Sequence, residues 1–196
     1  MPHPLITVAL TSLLLLGCQP AEPVRIGFLG GLSSRASDVG EAGRNAVQLA
    51  VEQRNEAGGI HGRPIELIVR DDAQDKEVAA KGVKELIEHK VEAIVGPFAS
   101  SMAAAALPHI NRAGVVMVSP TITSMDFVGN DDYLFRINRT TRDNARDYAA
   151  KLYQRGQRRI AATFDVRNRS FTESWLNEFK AAFAEIGGET IIAVPF

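Results

Sequence analysis

Short β-branched runs alternate with longer stretches whose apolar residues recur every three or four positions, and few folds admit that alternation. A chain that switches repeatedly between a period of two and a period of 3.6 reads as α/β with a parallel sheet. The first strand is expected over Val24–Leu29, stopped by Gly30-Gly31. Asp38 is a candidate N-cap for a helix with Val39, Ala42, Ala46, Val47 and Ala50 on one face, ended by Gly58-Gly59. Ile65–Val69 reads as a strand running into Asp71-Asp72, Lys76–His89 as a helix and Val91–Val95 as a third strand. A helix then opens at Ser100-Ser101, a fourth strand covers Val115–Val118, and a loop holds Thr121 and Thr123. Tyr133–Ile137 is strand-like, followed by a helix over Arg142–Gln154, a strand over Ile160–Phe164, a helix over Thr172–Ile186 and a strand over Thr190–Val194. Continuously apolar strands such as Val115-Val116-Met117-Val118 belong where helices cover both sheet faces, and the right-handed crossover rule leaves few topologies open.

A boundary is expected near Asn138 to Thr141, where one strand series ends and another begins. It divides a first lobe over 24–138 from an incomplete second lobe over 139–196, whose two strands alone make a marginal sheet. Ahead of both lies the apolar run Leu5 to Gly17. A bilayer-spanning helix needs about 20 residues, so this run is too short and fits the h-region of a signal peptide over 1–17. Leu15-Leu16-Gly17-Cys18 is similar to the lipobox of bacterial lipoproteins, with Cys18 as lipid attachment and 18–23 as tether; an ordinary signal peptide with a chance cysteine is the alternative. The n-region, Met1-Pro2-His3-Pro4, carries no Lys or Arg. Cys18 is the only cysteine, so no intrachain disulfide can form and stability must come from the core.

Net charge of -1 argues against nucleic-acid binding, which needs a marked basic excess. The local exception, Arg136 to Arg169, reads first as a solvated helix face and second as an anion or partner surface. Catalytic and metal-binding chemistry find little support. His3, His61, His89 and His109 are scattered without ligand spacing, and Asp71, Asp72 and Asp75 suit turn and cap roles better than a calcium loop. Neither a dinucleotide fingerprint, a nucleophile elbow nor a phosphate loop is present.

In open parallel sheets ligands sit beyond the carboxyl ends of the strands, near helix amino termini. Two loops qualify. Gly96-Pro97-Phe98-Ala99-Ser100-Ser101 leads from a strand into a helix, offering free amides and two hydroxyls to a carboxylate; equally, Ser100 merely caps the helix. Ser119-Pro120-Thr121-Ile122-Thr123 offers carbonyls and hydroxyls to an ammonium group, or is a plain polar loop.

These residues meet a known pattern. Gly43-Arg44-Asn45-Ala46, the run Asn55-Glu56-Ala57-Gly58-Gly59-Ile60-His61-Gly62-Arg63-Pro64-Ile65-Glu66-Leu67 leading to Asp71-Asp72, the 96–101 loop and Ser119-Pro120 together resemble the leucine/isoleucine/valine-binding protein family. The resemblance covers the chain from Val24 and implies the type I periplasmic-binding fold, two α/β lobes closing on a ligand around a hinge. It implies an extracytoplasmic, non-enzymatic component of an ABC importer. Its partners would be a permease and an amino acid or similar carboxylate, with no cofactor. Carried over by position, Ser100 resembles the carboxylate-binding serine, while Thr121 (carbonyl) and Thr123 (hydroxyl) resemble the ammonium-binding pair. Phe98 falls on an apolar wall beside Ala99 and Ser101. Arg35 falls where members carry an aromatic residue, which admits a larger or more anionic ligand, and Phe171 falls on a tyrosine reaching across from the second lobe. The loop before Phe171 is two residues longer than the family's. The family continues past the position of Phe196, and half a cleft is expected to bind weakly. Two other readings stay open: the input domain of a signalling receptor, marked by a downstream membrane helix and signalling domain, and a remnant that folds poorly.

Overall fold

The computed structural model describes residues 22–33 and 37–196. In chain order the elements are β1 (Val24–Gly30), α1 (Asp38–Glu56), β2 (Ile65–Asp71), α2 (Lys76–Glu88), β3 (Ala93–Val95), α3 (Ser100–Ala113) and β4 (Val116–Ser119). A 3-10 turn (Met125–Phe127) follows, then β5 (Leu134–Arg136), α4 (Thr141–Gln154), β6 (Arg159–Phe164), α5 (Arg169–Glu185) and β7 (Glu189–Pro195). The first five strands form one parallel sheet in the order β2-β1-β3-β4-β5, and β6 and β7 form a separate parallel pair. The chain crosses one way along the sheet through α1 and the other way through α2 and α3. Right-handed crossovers therefore place α1 on the face opposite α2 and α3. The point where the order reverses, between β1 and β3, is where a doubly wound sheet opens a crevice at its strand ends.

Three helix starts differ from the sequence reading, each for a local hydrogen-bonding reason. The N-cap of α1 is Ser37 rather than Asp38; the Ser37 hydroxyl donates to the Glu41 carboxylate at 2.8 Å. Asp38 falls in the first turn, where its charge suits the helix dipole. Helix α4 begins at Thr141, one residue earlier than expected, because Thr140 and Asp143 form a reciprocal capping box. Helix α5 begins at Arg169 rather than Thr172, whose hydroxyl donates back to the Asp165 carbonyl at 2.7 Å. Strand β3 is shorter than the apolar run Val91–Val95: Val91 packs into the core ahead of the ladder.

The three aspartates after β2 hold a turn. Ala73 and Gln74 take left-handed φ values of 48° and 52°, and Asp71 and Asp72 accept their amides at 2.8 Å each. Asp75 caps α2 by accepting the Glu77 and Val78 amides at 2.8 and 3.0 Å.

Leu29, Val83, Leu86, Ile94, Ile110 and Met117 form the main core between the first sheet and the α2–α3 pair. Each such side chain, fully buried, contributes roughly 1.5–3 kcal/mol. A second core of Ala145, Ala149, Phe179, Ala182 and Phe183 joins α4 to α5. The other face of the β6–β7 pair leaves Ile192 and Val194 exposed. The basic run is largely engaged on the surface: Arg139 pairs with Asp147, Arg142 with Glu178, Arg159 with Glu189 and Arg167 with Asp165, while Arg158 lies over the Tyr153 ring. Exposed pairs of this kind contribute at most about 1 kcal/mol each.

The two sheets meet along a seam of short polar side chains. The Thr141 amide donates to the Thr123 carbonyl at 2.8 Å, and the Met125 amide donates to the Ser174 hydroxyl at 3.0 Å. Ser174 also bonds the Thr141 hydroxyl at 2.7 Å, and the Ser170 hydroxyl donates to the Asp126 carboxylate.

Candidate functional site

The α3 end of the site is set by Gly96, whose φ of 110° and position leave no room for a side chain: a Cβ there would lie 1.9 Å from the Leu29 carbonyl oxygen. The chain turns through Pro97 and Phe98 and enters α3 with Ala99 as N-cap, making no side-chain capping bond. Ser100 is therefore the first helical residue and not the cap. Ser100 and Ser101 are buried, with 2% and 1% of their surface exposed. The Ser101 amide, part of the expected carboxylate seat, donates to Asn168 Oδ1 at 3.0 Å, and its hydroxyl accepts from the Ser170 amide at 3.2 Å. A side chain from the loop before α5 thus does at Ser101 what a bound carboxylate would do.

The threonine turn after β4 is laced to this loop. The Ser119 hydroxyl donates to the Pro97 carbonyl at 2.7 Å and the Thr121 hydroxyl to the Phe98 carbonyl at 2.8 Å. Thr123 differs. Its residue is 6% exposed, and its hydroxyl has no hydrogen-bond partner among the described residues. Burying such a group unpaired costs about 1–3 kcal/mol.

Thr121 and Thr123 form one wall of a cavity of about 500 Å³. Helix α4 supplies Asn144, Asp147, Tyr148 and Lys151, and α5 supplies Phe171 and Trp175. A smaller cavity of about 240 Å³ lies at the switch point, bordered by Phe98, Ala99, Asp72 and Asn168. The structure therefore brings Thr121, Thr123 and Phe171 together, sets Phe98 and Ala99 on a neighbouring hollow, and buries Ser100 and Ser101 at the amino end of α3. Phe98 borders the smaller cavity, its ring 5.5 Å from that of Phe28, and a Cβ on Gly43 of α1 would come within 2.2 Å of it. Arg35 and Cys18 lie outside the described residues.

Sequence reasoning missed Asn168, Tyr148, Lys151 and Trp175. The α4 residues Asn144, Asp147, Tyr148 and Lys151 stand at three- and four-residue steps, so a polar stripe was there to be found. Asn168 has no comparable signal, because its role depends on how the two sheets meet.

The family model described as periplasmic binding protein matches residues 23–196. The chain belongs to the periplasmic binding protein family. Its fold is the type I periplasmic-binding fold. A leucine-, isoleucine-, valine-, threonine- and alanine-binding protein of Pseudomonas aeruginosa is 29% identical over 104 residues, 53% of this chain and 28% of that protein. Leu/Ile/Val-binding protein homolog 8 of Brucella abortus is 32% identical over 126 residues, 63% of this chain and 31% of that protein. Among solved structures, a leucine binding protein from Thermotoga maritima superposes with a TM-score of 0.80 at 26% identity, covering 88% of this chain and 49% of the other. The branched-chain amino acid transporter substrate binding protein LivJ of Streptococcus pneumoniae, solved in complex with isoleucine, gives 0.80 at 26% identity, covering 89% and 50%. The chain spans about half the length of these structures and less than a third of the curated relatives it matches.

In this periplasmic binding protein the charge that stands out beside the site is Asp72, on the smaller cavity. Burial pushes its carboxyl up to about 6; the Gln74 amide opposes the rise and neighbouring Asp71 adds to it. For Asp71 burial works upward too, but bonds from the Ser33 side chain and from the Leu32, Ala73 and Ser33 amides together hold it below its ordinary value.

Proposed function

We propose that this chain is an extracytoplasmic solute-binding component of an ABC importer, lipid-anchored at Cys18, that closes on a small carboxylate-bearing ligand such as an amino acid and hands it to a permease. The units over 24–138 and 139–196 are its two lobes, and Thr121, Thr123 and Phe171 are the grip. Phe98, Ala99, Ser100 and Ser101 form the adjoining wall, with Arg35 on the β1–α1 connection. Family membership and the relatives' printed ligands support the class. The single observation that carries the site is a cavity of about 500 Å³ walled by both sheet units, with Thr123, whose buried hydroxyl has no hydrogen-bond partner among the described residues, on its wall. A ligand contacting both units binds their closed arrangement more tightly than an open one, which is what lets it shift that equilibrium.

Thr123→Val removes the hydroxyl at nearly constant shape. Deleting an unsatisfied buried polar group is expected to raise stability by about 1 kcal/mol, while a lost ligand hydrogen bond lowers affinity about tenfold. Calorimetric titration with L-leucine, L-isoleucine and L-valine, beside thermal melts, reads both. A variant that melts lower yet binds as the parent does removes Thr123 from the site. A parent chain that binds no small carboxylate of any kind overturns the function.

A further inference from the structure

We propose that the solute held in the larger cavity is a flat aromatic acid, its ring entering between Phe171 and Trp175 and its carboxylate meeting Lys151; this rests on the solute-binding reading above and narrows its ligand class. Helix α5 carries Phe171, Trp175, Phe179 and Phe183 at four-residue steps, so all four stand on one side of the helix. The last three form a continuous file of rings. Trp175 and Phe179 stack with centroids 5.0 Å apart at 8°, and Phe179 and Phe183 at 5.3 Å and 19°. Phe183 and Phe179 are core residues, so the file is rooted in the second unit's interior. Its open end is in the cavity, where half-buried Trp175 and Phe171 both form the wall. Tyr148 of α4 meets Trp175 edge-on at 5.8 Å and 77°, which fixes the indole plane. An incoming ring extends this series at the offset-stacked spacing aromatic pairs prefer, whereas a branched aliphatic chain gains area but no stacking.

The polar groups set the ligand's charge. Asp147 on the same wall is neutralised by Arg139 at 2.8 Å. Lys151, one turn further along α4, has no carboxylate within ion-pair distance among the described residues, and so leaves the wall positive. At the amino end of α3 the Ser101 amide already holds Asn168, which makes the lysine the more available partner for an acid. Thr123 lines the same cavity, its buried hydroxyl without a hydrogen-bond partner among the described residues. A cavity of about 500 Å³ lies in the size range of small-molecule sites, roughly 300–1,000 Å³.

Trp175 is the only tryptophan in the chain, so its emission reports on this cavity alone. The full chain is titrated with benzoate, phenylacetate, cyclohexanecarboxylate and L-leucine. Benzoate and phenylacetate are expected to change the emission saturably. Cyclohexanecarboxylate, equal in charge and similar in size but without a π face, is expected to bind at least about fivefold more weakly. Lys151→Met is expected to weaken both aromatic acids about tenfold, and Lys151→Arg to restore them. Equal affinity for benzoate and cyclohexanecarboxylate overturns the proposal, as does an unaffected Lys151→Met. Binding of L-leucine with neither aromatic acid overturns it while leaving the solute-binding function standing; binding of no acid at all removes both.

Discussion

Asp72 keeps its charge at neutral pH in a place that disfavours charge, 1% exposed at the end of β2. Its folded pKa of about 6 stands above the ordinary 3.8, so the folded chain holds this proton more tightly than the unfolded chain does. Stability from this group is therefore fully present below pH 3.8 and is lost as pH rises through 6. A rise of about 2 units corresponds to roughly 3 kcal/mol at most. Asp72→Asn keeps an oxygen to accept the Gln74 amide and removes the charge. We expect it to raise the urea midpoint at pH 7 and to flatten the decline in stability between pH 4 and 6. A variant whose pH profile overlays the parent's would show that the carboxylate is not the source. The turn-and-cap role of Asp71, Asp72 and Asp75 was legible from residue type and spacing. The charge state of Asp72 was not, because burial comes from α1 and the strand ends closing over it.

Between elements, the contact that decides most is the one Asn168 makes. As the residue before α5 it would ordinarily cap its own helix, yet it makes no such bond and caps α3 through the Ser101 amide instead. Asn168→Ala should lower stability by about 1 kcal/mol, the ordinary consequence of losing a cap, and should speed hydrogen exchange at the Ser101 amide. Exchange there at the parent rate would mean the amide is protected by something else. The helices and strands themselves were readable from periodicity, since an apolar stripe must find a core. Their starts were less so, because Thr140, Ser37 and Asn168 act through hydrogen bonds whose geometry periodicity does not encode. The loops after β3 and β4 could be singled out as candidates to bear a ligand from their place in an α/β chain. Which of their hydroxyls stays open could not: Thr121 and Thr123 differ by two positions, and only the carbonyl of Phe98 separates an engaged hydroxyl from an orphan.

At the scale of the whole molecule the fold followed from strand order and crossover hand, whereas the cavity needed the docking of one sheet unit on the other. Anchoring also belongs to this scale. Two or three acyl chains, at about 0.8 kcal/mol per buried methylene, hold a protein on a membrane stably where one lets it exchange. Cells expressing the full chain should incorporate labelled palmitate, and Cys18→Ser should abolish the label; label persisting in that variant would remove the anchor. The seam between the two units has a consequence for where such a protein can work. Among the described residues, every ion pair lies within one unit or the other. Bonds across the seam run between amides, hydroxyls and carbonyls, with the Asp126 carboxylate answered by a hydroxyl. The neutral bonds among them, all but that of Asp126, are little affected by dissolved electrolyte. The junction between the two units is therefore largely insulated from swings in ionic strength, a property suited to a compartment whose salinity the cell does not control.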